Sequence, residues 1–144
     1  MTLSTSGIDQ AHRKMGKVGF ICLLFSILSA VFGAVYESYS HDVYSNYMLY
    51  AFLIPLVGGA LLYTWLSFTV KIPLPSTIVM CLYNSGLATL TVGSHMKGVL
   101  DIYGTENSLL VVYWLVGIIL VALGVLTYFA TLFARWLKKS STEK

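Results

Sequence analysis

LLVVYWLVGIILVALGVLTYFATLFA, the stretch from Leu109 to Ala134, runs for 26 residues without a charged side chain. The hydrocarbon core of a bilayer is about 30 Å thick, so a helix that crosses it needs about 20 mostly apolar residues. This stretch is therefore predicted to cross a membrane as a helix.

Three earlier stretches also lack charged residues, and they are Val18–Tyr36, Tyr47–Val70 and Ser76–Ser94. The last of these is less hydrophobic, because it contains Asn84 and several hydroxyl side chains. Strands of a membrane barrel would alternate in polarity, whereas these runs are continuous. A short connection, Lys71–Pro75, favours antiparallel neighbours. We expect an all-α integral membrane protein with four transmembrane helices in an up-down-up-down bundle, as a single transmembrane domain over residues 1–144.

The composition supports this class. Of the 144 residues, 57% are hydrophobic and 10% are charged, and the mean hydropathy is +0.78. A soluble domain has about 25% charged residues, and a small one leaves much of its chain at the surface. The composition thus excludes a soluble enzyme, a disordered chain and a disulfide scaffold. No phosphate-binding glycine loop, nucleophile elbow or His-Glu-x-x-His motif occurs, so enzyme activity is not expected.

Basic residues predict the orientation, because Lys and Arg accumulate on the cytoplasmic side of a membrane protein. With four crossings, eight of the nine Lys and Arg residues share one side and only Lys97 falls on the other. Both termini are therefore expected to be cytoplasmic, in a plasma (inner) membrane. No basic domain exists to bind nucleic acid. The expected partners are the lipid bilayer and either a second copy of the chain or another membrane protein.

Small residues and one proline predict how the helices pack. Helices in lipid associate through close contacts of small residues. Such residues recur at four-residue steps in the first and third spans, and Gly117 and Gly124 lie seven residues apart in the fourth. The recurring residues are Ser26, Ala30 and Ala34, then Ser85, Thr89 and Gly93. In the second span, Pro55 precedes Gly58 and Gly59, which predicts either a hinge or a static kink.

Tyrosines crowd the predicted outer side beyond what an interfacial belt requires. The segment Val35–Tyr50 holds five of them. Aromatic side chains prefer the headgroup level, and phenols add hydrogen-bonding groups there. Tyr39, Tyr44 and Tyr47 are therefore candidate ligand-binding residues. Asn84, in the middle of the third span, is a further candidate as the lining of a polar cavity.

Two histidines, His41 and His95, are also expected on the outer side, together with Asp42. Imidazole and carboxylate groups bind transition-metal ions, so these three residues are a candidate metal site. Two histidines on facing helices could instead hold a haem b iron. A third interpretation needs no cofactor, with both rings at the interface and hydrogen-bonded to neighbours.

Three functions remain open on these grounds. The leading one is a non-enzymatic protein that binds a ligand, a lipid or a partner through its outer rim. The second is a membrane redox or metal-binding subunit that uses His41 and His95. The third is a small oligomeric transporter or channel module. No charged residue lies within a span, which disfavours proton-coupled exchange.

Overall fold

The computed structural model of the chain describes residues 5–41, 43–69 and 73–142. The structure is 86% helical, with no strand in the described part. It has four helices, α1 (Thr5–Ser38), α2 (Asn46–Phe68), α3 (Thr77–Tyr103) and α4 (Val111–Thr142). A short 3₁₀ turn, Ser108–Leu110, leads into α4. The expected all-α architecture with four helices is thereby confirmed.

Three helices are long and apolar enough to cross a membrane. The segments concerned are His12–Ser38, Asn46–Phe68 and Ser108–Leu137. They contain the predicted first and fourth spans and cover the second, Tyr47–Val70, as far as Phe68. The helix α3 is 27 residues long, yet it does not belong to this apolar set. Its lower hydropathy agrees with its polar side chains.

Local signals set the ends of α3. The Ser76 hydroxyl accepts a hydrogen bond from the Val79 amide at 3.4 Å, as an N-cap residue does. At the other end, Gly104 has a φ of 68°, in the left-handed region that glycine adopts without strain. The Thr105 amide then donates to the Leu100 carbonyl at 2.9 Å. The helix therefore extends nine residues past the predicted end of the span at Ser94.

A π-helical segment, Ile54–Leu61, interrupts α2 at the predicted kink. Pro55 has no amide hydrogen, which removes one backbone hydrogen bond at this point. Neighbouring helices supply donors to carbonyls around the break. The Ser26 hydroxyl donates to the Phe52 carbonyl at 2.8 Å, and the Tyr83 hydroxyl donates to the Gly58 carbonyl at 3.0 Å. The break in α2 is thus held by side chains from α1 and α3.

Glycines bring the helix backbones together. A Cβ atom at Gly86 of α3 would lie 2.7 Å from the Val121 amide nitrogen and 2.9 Å from the Gly117 carbonyl oxygen. A Cβ atom at Gly98 of α3 would lie 2.9 Å from the Met48 amide nitrogen in α2. A Cβ atom would meet the backbone of another helix at Gly19, Gly33, Gly86, Gly98, Gly117 and Gly124, and only its side chains at Gly58, Gly59 and Gly93. Gly93, Gly117 and Gly124 were on predicted packing faces, whereas Ala34 and Ser85, which were predicted to pack as well, are exposed.

The surface of this protein is far more apolar than that of a soluble domain, and its interior includes polar side chains. Four serines are buried, namely Ser26, Ser29, Ser45 and Ser94. Large apolar side chains on α4 point outward, with Leu115 57% exposed and Phe129 61% exposed. Water would make such a surface unstable, because exposed apolar patches of this extent drive association. The arrangement fits a lipid environment, in which polar groups pack inside and apolar groups face outward.

The substitution Gly86→Ala should lower the free energy of unfolding by roughly 1–3 kcal/mol, because the added methyl meets the backbone of α4. Gly16→Ala is the matched control, since a Cβ atom there would lie 3.9 Å from the Ser67 hydroxyl oxygen. The control should leave stability unchanged or raise it slightly through helix propensity. Reversible unfolding by sodium dodecyl sulfate in mixed micelles measures both. Equal stabilities of the two variants would contradict the packing of α3 against α4.

Candidate functional site

The two longer connections of the chain lie at the same end of the molecule. We call this end the rim, and it comprises the residues from Tyr36 to Met48 and from His95 to Leu109. The Ser45 hydroxyl, just before α2, donates to Oδ2 of Asp101 in α3 at 2.9 Å. Gly98 packs on Met48 one turn earlier. The rim therefore brings together the two segments that the sequence placed on the outer side.

An open cleft of about 480 Å³ lies on the rim between the end of α1 and the end of α3. The Phe32 and Tyr36 rings are stacked in its wall, with centroids 6.1 Å apart and an interplanar angle of 29°. Tyr39 and Tyr103 are 78% and 72% exposed. The lining consists of Phe32, Val35, Tyr36, Tyr39, Ser40, His41, Ile102 and Tyr103. This mixture of apolar side chains, phenols and a few other polar groups suits an amphipathic small molecule.

The four residues predicted to bind a ligand lie in different surroundings. Tyr39 lines the cleft, whereas Tyr44 is 70% exposed outside it. Tyr47 packs its ring edge against Trp114, with centroids 6.0 Å apart. Asn84 accepts a hydrogen bond from the Tyr63 hydroxyl at 3.0 Å and lies 18 residues, about 27 Å of helix, from Ile102. Tyr39 alone among the four is part of the cleft.

Lys97 is engaged within the rim. Its ammonium lies 2.8 Å from Oδ1 of Asp101, one helical turn later, and 6.0 Å from the centre of the Tyr47 ring. The hydrogen bond with Asp101 raises the pKa of Lys97 above its ordinary value. Asp101 also receives the Ser45 hydrogen bond, so this network fastens the start of α2 to α3. The ammonium is consequently directed at Asp101 and Tyr47, neither of which lines the cleft.

His95, the first rim residue on α3, joins three helices. Its Nε2 lies 2.7 Å from the Ser29 hydroxyl of α1, and its Nδ1 lies 3.3 Å from the Met48 sulfur of α2. The ring also meets the Phe32 ring edge to face, with centroids 5.0 Å apart. Because a thioether only accepts hydrogen bonds, Nδ1 carries the proton and Ser29 donates to Nε2. Both ring nitrogens therefore have protein partners.

His41 has different surroundings. It lies in the turn after α1 with a φ of 53°, it is exposed, and it lines the cleft. Asp42 falls outside the described residues. Within the described part of the chain, no group of three or more His, Cys, Asp or Glu side chains could hold a metal ion. The metal or haem site at His41, His95 and Asp42 stays a prediction, and an ion on His95 would have to displace Ser29 or Met48.

Sequence reasoning missed part of the cleft wall. Phe32, Val35, Tyr36 and Tyr39 recur at three- and four-residue steps, which places them on one face of α1. This spacing could have identified the α1 wall of the cleft from the sequence. Ile102 could not be assigned, because the predicted third span ended at Ser94 and the structure continues the helix to Tyr103.

One acidic group near the end of α1 lacks a partner. Oε1 of Glu37 is buried and has no hydrogen-bond partner among the residues that the structure describes. The backbone carbonyl of Glu37 accepts a hydrogen bond from the Ser40 hydroxyl at 2.7 Å, and Ser40 lines the cleft. The Glu37 carboxylate itself is not among the side chains that line the cleft.

Comparison with known protein families, with curated proteins and with solved structures found no match for this chain.

The substitution His95→Ala should lower the free energy of unfolding by about 1–3 kcal/mol, because it leaves the buried Ser29 hydroxyl without its partner. His41→Ala should change stability by less than about 0.5 kcal/mol, because His41 is exposed in a turn. Unfolding by dodecyl sulfate compares the two variants. Equal losses, or none for His95→Ala, would show that His95 does not fasten the three helices.

Proposed function

We propose that this chain is an integral membrane protein that binds a small amphipathic ligand in the rim cleft without converting it chemically. In this proposal the four helices cross the bilayer up-down-up-down. The termini lie on the cytoplasmic side of a plasma (inner) membrane, and the rim lies on the outer side. The observation that carries the proposal is the open, aromatic cleft between α1 and α3.

A crossing by α3 is supported by its length and contacts. Its 27 residues extend for about 40 Å, more than the hydrocarbon thickness, and residues 77–96 carry no charge. Gly86 meets Val121 of α4, whereas Gly93 meets Tyr113, so contacts proceed along the two helices in opposite directions. Such an order is expected of antiparallel neighbours joined by a short turn.

The side chains of Asn84, Thr89 and Thr91 on α3 also have partners within the protein. Asn84 accepts from Tyr63, and the Thr89 and Thr91 hydroxyls donate to the Ser85 and Leu87 carbonyls at 2.8 Å each. Hydrogen bonds of this kind let a helix of modest hydropathy lie in a bilayer. The low hydropathy of α3 is thus compatible with a crossing inside a bundle.

The placement of the cleft supports ligand binding from the membrane interface. Tyrosine phenols prefer the headgroup level, where one end of a ring is apolar and the other is hydrated. Below the cleft, the apolar surface continues along α1, where Leu28 is 63% exposed. A ligand with a polar head and an alkyl tail would match both parts. The sequence contains no known catalytic motif, which favours binding over catalysis.

The substitution Val35→Trp should fill part of the cleft and reduce cross-linking of a photoactivatable alkyl amphiphile to the rim at least about threefold, a loss of roughly 0.6 kcal/mol. The measurement uses purified protein in nanodiscs and maps the labelled peptides by mass spectrometry. Val31→Trp is the matched control, because Val31 is 53% exposed and Val35 is 52% exposed, but only Val35 lines the cleft.

Label that spreads evenly over the lipid-facing surfaces of α1 and α4 would contradict the proposal. So would equal labelling of the rim in the Val31→Trp and Val35→Trp variants.

A further inference from the structure

We infer that the polar head of the ligand is a quaternary ammonium group, so that the cleft binds an amphipathic cation. This inference rests on the proposed function and adds the chemical class of the ligand. It is carried by the aromatic wall of the cleft and by the charges around it.

Half of the eight residues that line the cleft are phenylalanine or tyrosine. They are Phe32, Tyr36, Tyr39 and Tyr103, and the first two rings are stacked. The face of an aromatic ring is negative and attracts a cation within about 6 Å of its centre. A quaternary ammonium has no N–H to donate, so it gains little from oxygen acceptors and most from ring faces. An anionic headgroup would be repelled by the same faces.

The charges at the rim favour a cation as well. No Lys or Arg lines the cleft. The two connections predicted on the outer side carry four acidic residues against one basic residue, Lys97. That single ammonium is paired with Asp101. The acidic residues are Glu37, Asp42, Asp101 and Glu106. Their sum gives the rim a negative potential that attracts cations and repels phosphate or sulfate.

Glu37 adds to the negative charge near the cleft. It follows Tyr36 in the chain, and its backbone carbonyl accepts a hydrogen bond from the Ser40 hydroxyl of the cleft wall. Its carboxylate is not part of the lining, so it would act on a bound cation through the potential of the rim and not by contact. The rings of the lining would bind a permanent cation more tightly than a neutral headgroup.

Apolar contacts determine where the rest of the ligand lies. Val35 and Ile102 complete the lining on the apolar side, next to the exposed face of α1. An alkyl chain attached to the ammonium would lie along that face in the lipid. The same head chemistry occurs in phosphocholine lipids and in free alkylammonium compounds, so the test includes both sources.

Competition against the photoactivatable amphiphile tests the headgroup. Decyltrimethylammonium, decyl maltoside and decyl sulfate share one alkyl chain and differ in charge. In nanodiscs of phosphatidylglycerol, the ammonium compound should displace the label at a concentration about tenfold lower than the maltoside does, and the sulfate should be weakest. The labelling of the cleft before any competitor is added is then compared between nanodiscs of phosphatidylcholine and of phosphatidylglycerol. Weaker labelling in phosphatidylcholine would show that the lipid headgroup itself occupies the cleft, and equal labelling would identify free amphiphiles as the ligands. Either source supports the inference.

Variants assign the effect to the rings. Tyr103→Leu should weaken displacement by decyltrimethylammonium about two- to thirtyfold, whereas Tyr103→Phe should stay within about twofold, because it keeps the ring. Tyr44→Leu is the matched control, since Tyr44 is as exposed as Tyr103 and lies outside the cleft.

Equal potency of the three decyl compounds, with labelling still confined to the cleft, would overturn the cation preference and leave the proposed function standing. Equal losses in Tyr103→Leu and Tyr44→Leu would overturn it too, because a general surface effect would then account for the result. Absence of cleft labelling by any amphiphile would overturn both the inference and the proposed function.

Discussion

Hydrocarbon offers no hydrogen-bond partner to a polar side chain, and in the proposed membrane arrangement this constraint falls most heavily on α3. Asn84 finds a partner in Tyr63, and Thr89 and Thr91 find partners in the helix backbone. Glycines on α3 and α4 let the other helices approach until their backbones are in contact. In the proposed membrane arrangement, α3 lies between α2 and α4, and the outward faces of all four helices meet lipid.

The site follows from the same arrangement. Since α3 continues to Tyr103, its last turn lies beside the end of α1 and forms the second wall of the cleft. His95 fixes the two walls relative to each other, because it bonds to Ser29 and contacts Phe32. The Lys97–Asp101–Ser45 network fastens α2 on the opposite flank. The cleft is thus supported by buried contacts on helices, although its own lining is exposed.

The sequence was sufficient to predict the helices but not the contacts between them. Uncharged runs predicted all four helices, and Pro55 predicted a break in α2, because both signals are local along the chain. Four-residue steps identified Ser85 as a packing residue, but the structure turns Gly86 toward α4 and leaves Ser85 exposed. Which face of a helix is buried depends on its neighbours. For the same reason, Tyr39 could be selected as a rim residue, whereas Ile102 and the dual contacts of His95 required the structure.

The proposed membrane arrangement depends above all on whether α3 crosses the bilayer. Labelling of single cysteines in intact cells by a membrane-impermeant maleimide tests this directly, in a chain from which Cys22 and Cys81 have been replaced by alanine. Four crossings predict that Thr105→Cys is labelled from outside, while Ser4→Cys and Ser140→Cys react only after the cells are permeabilised. Three crossings, by the apolar helices alone, would place the termini on opposite sides. Labelling of one terminus from outside, with the other protected, would contradict the account.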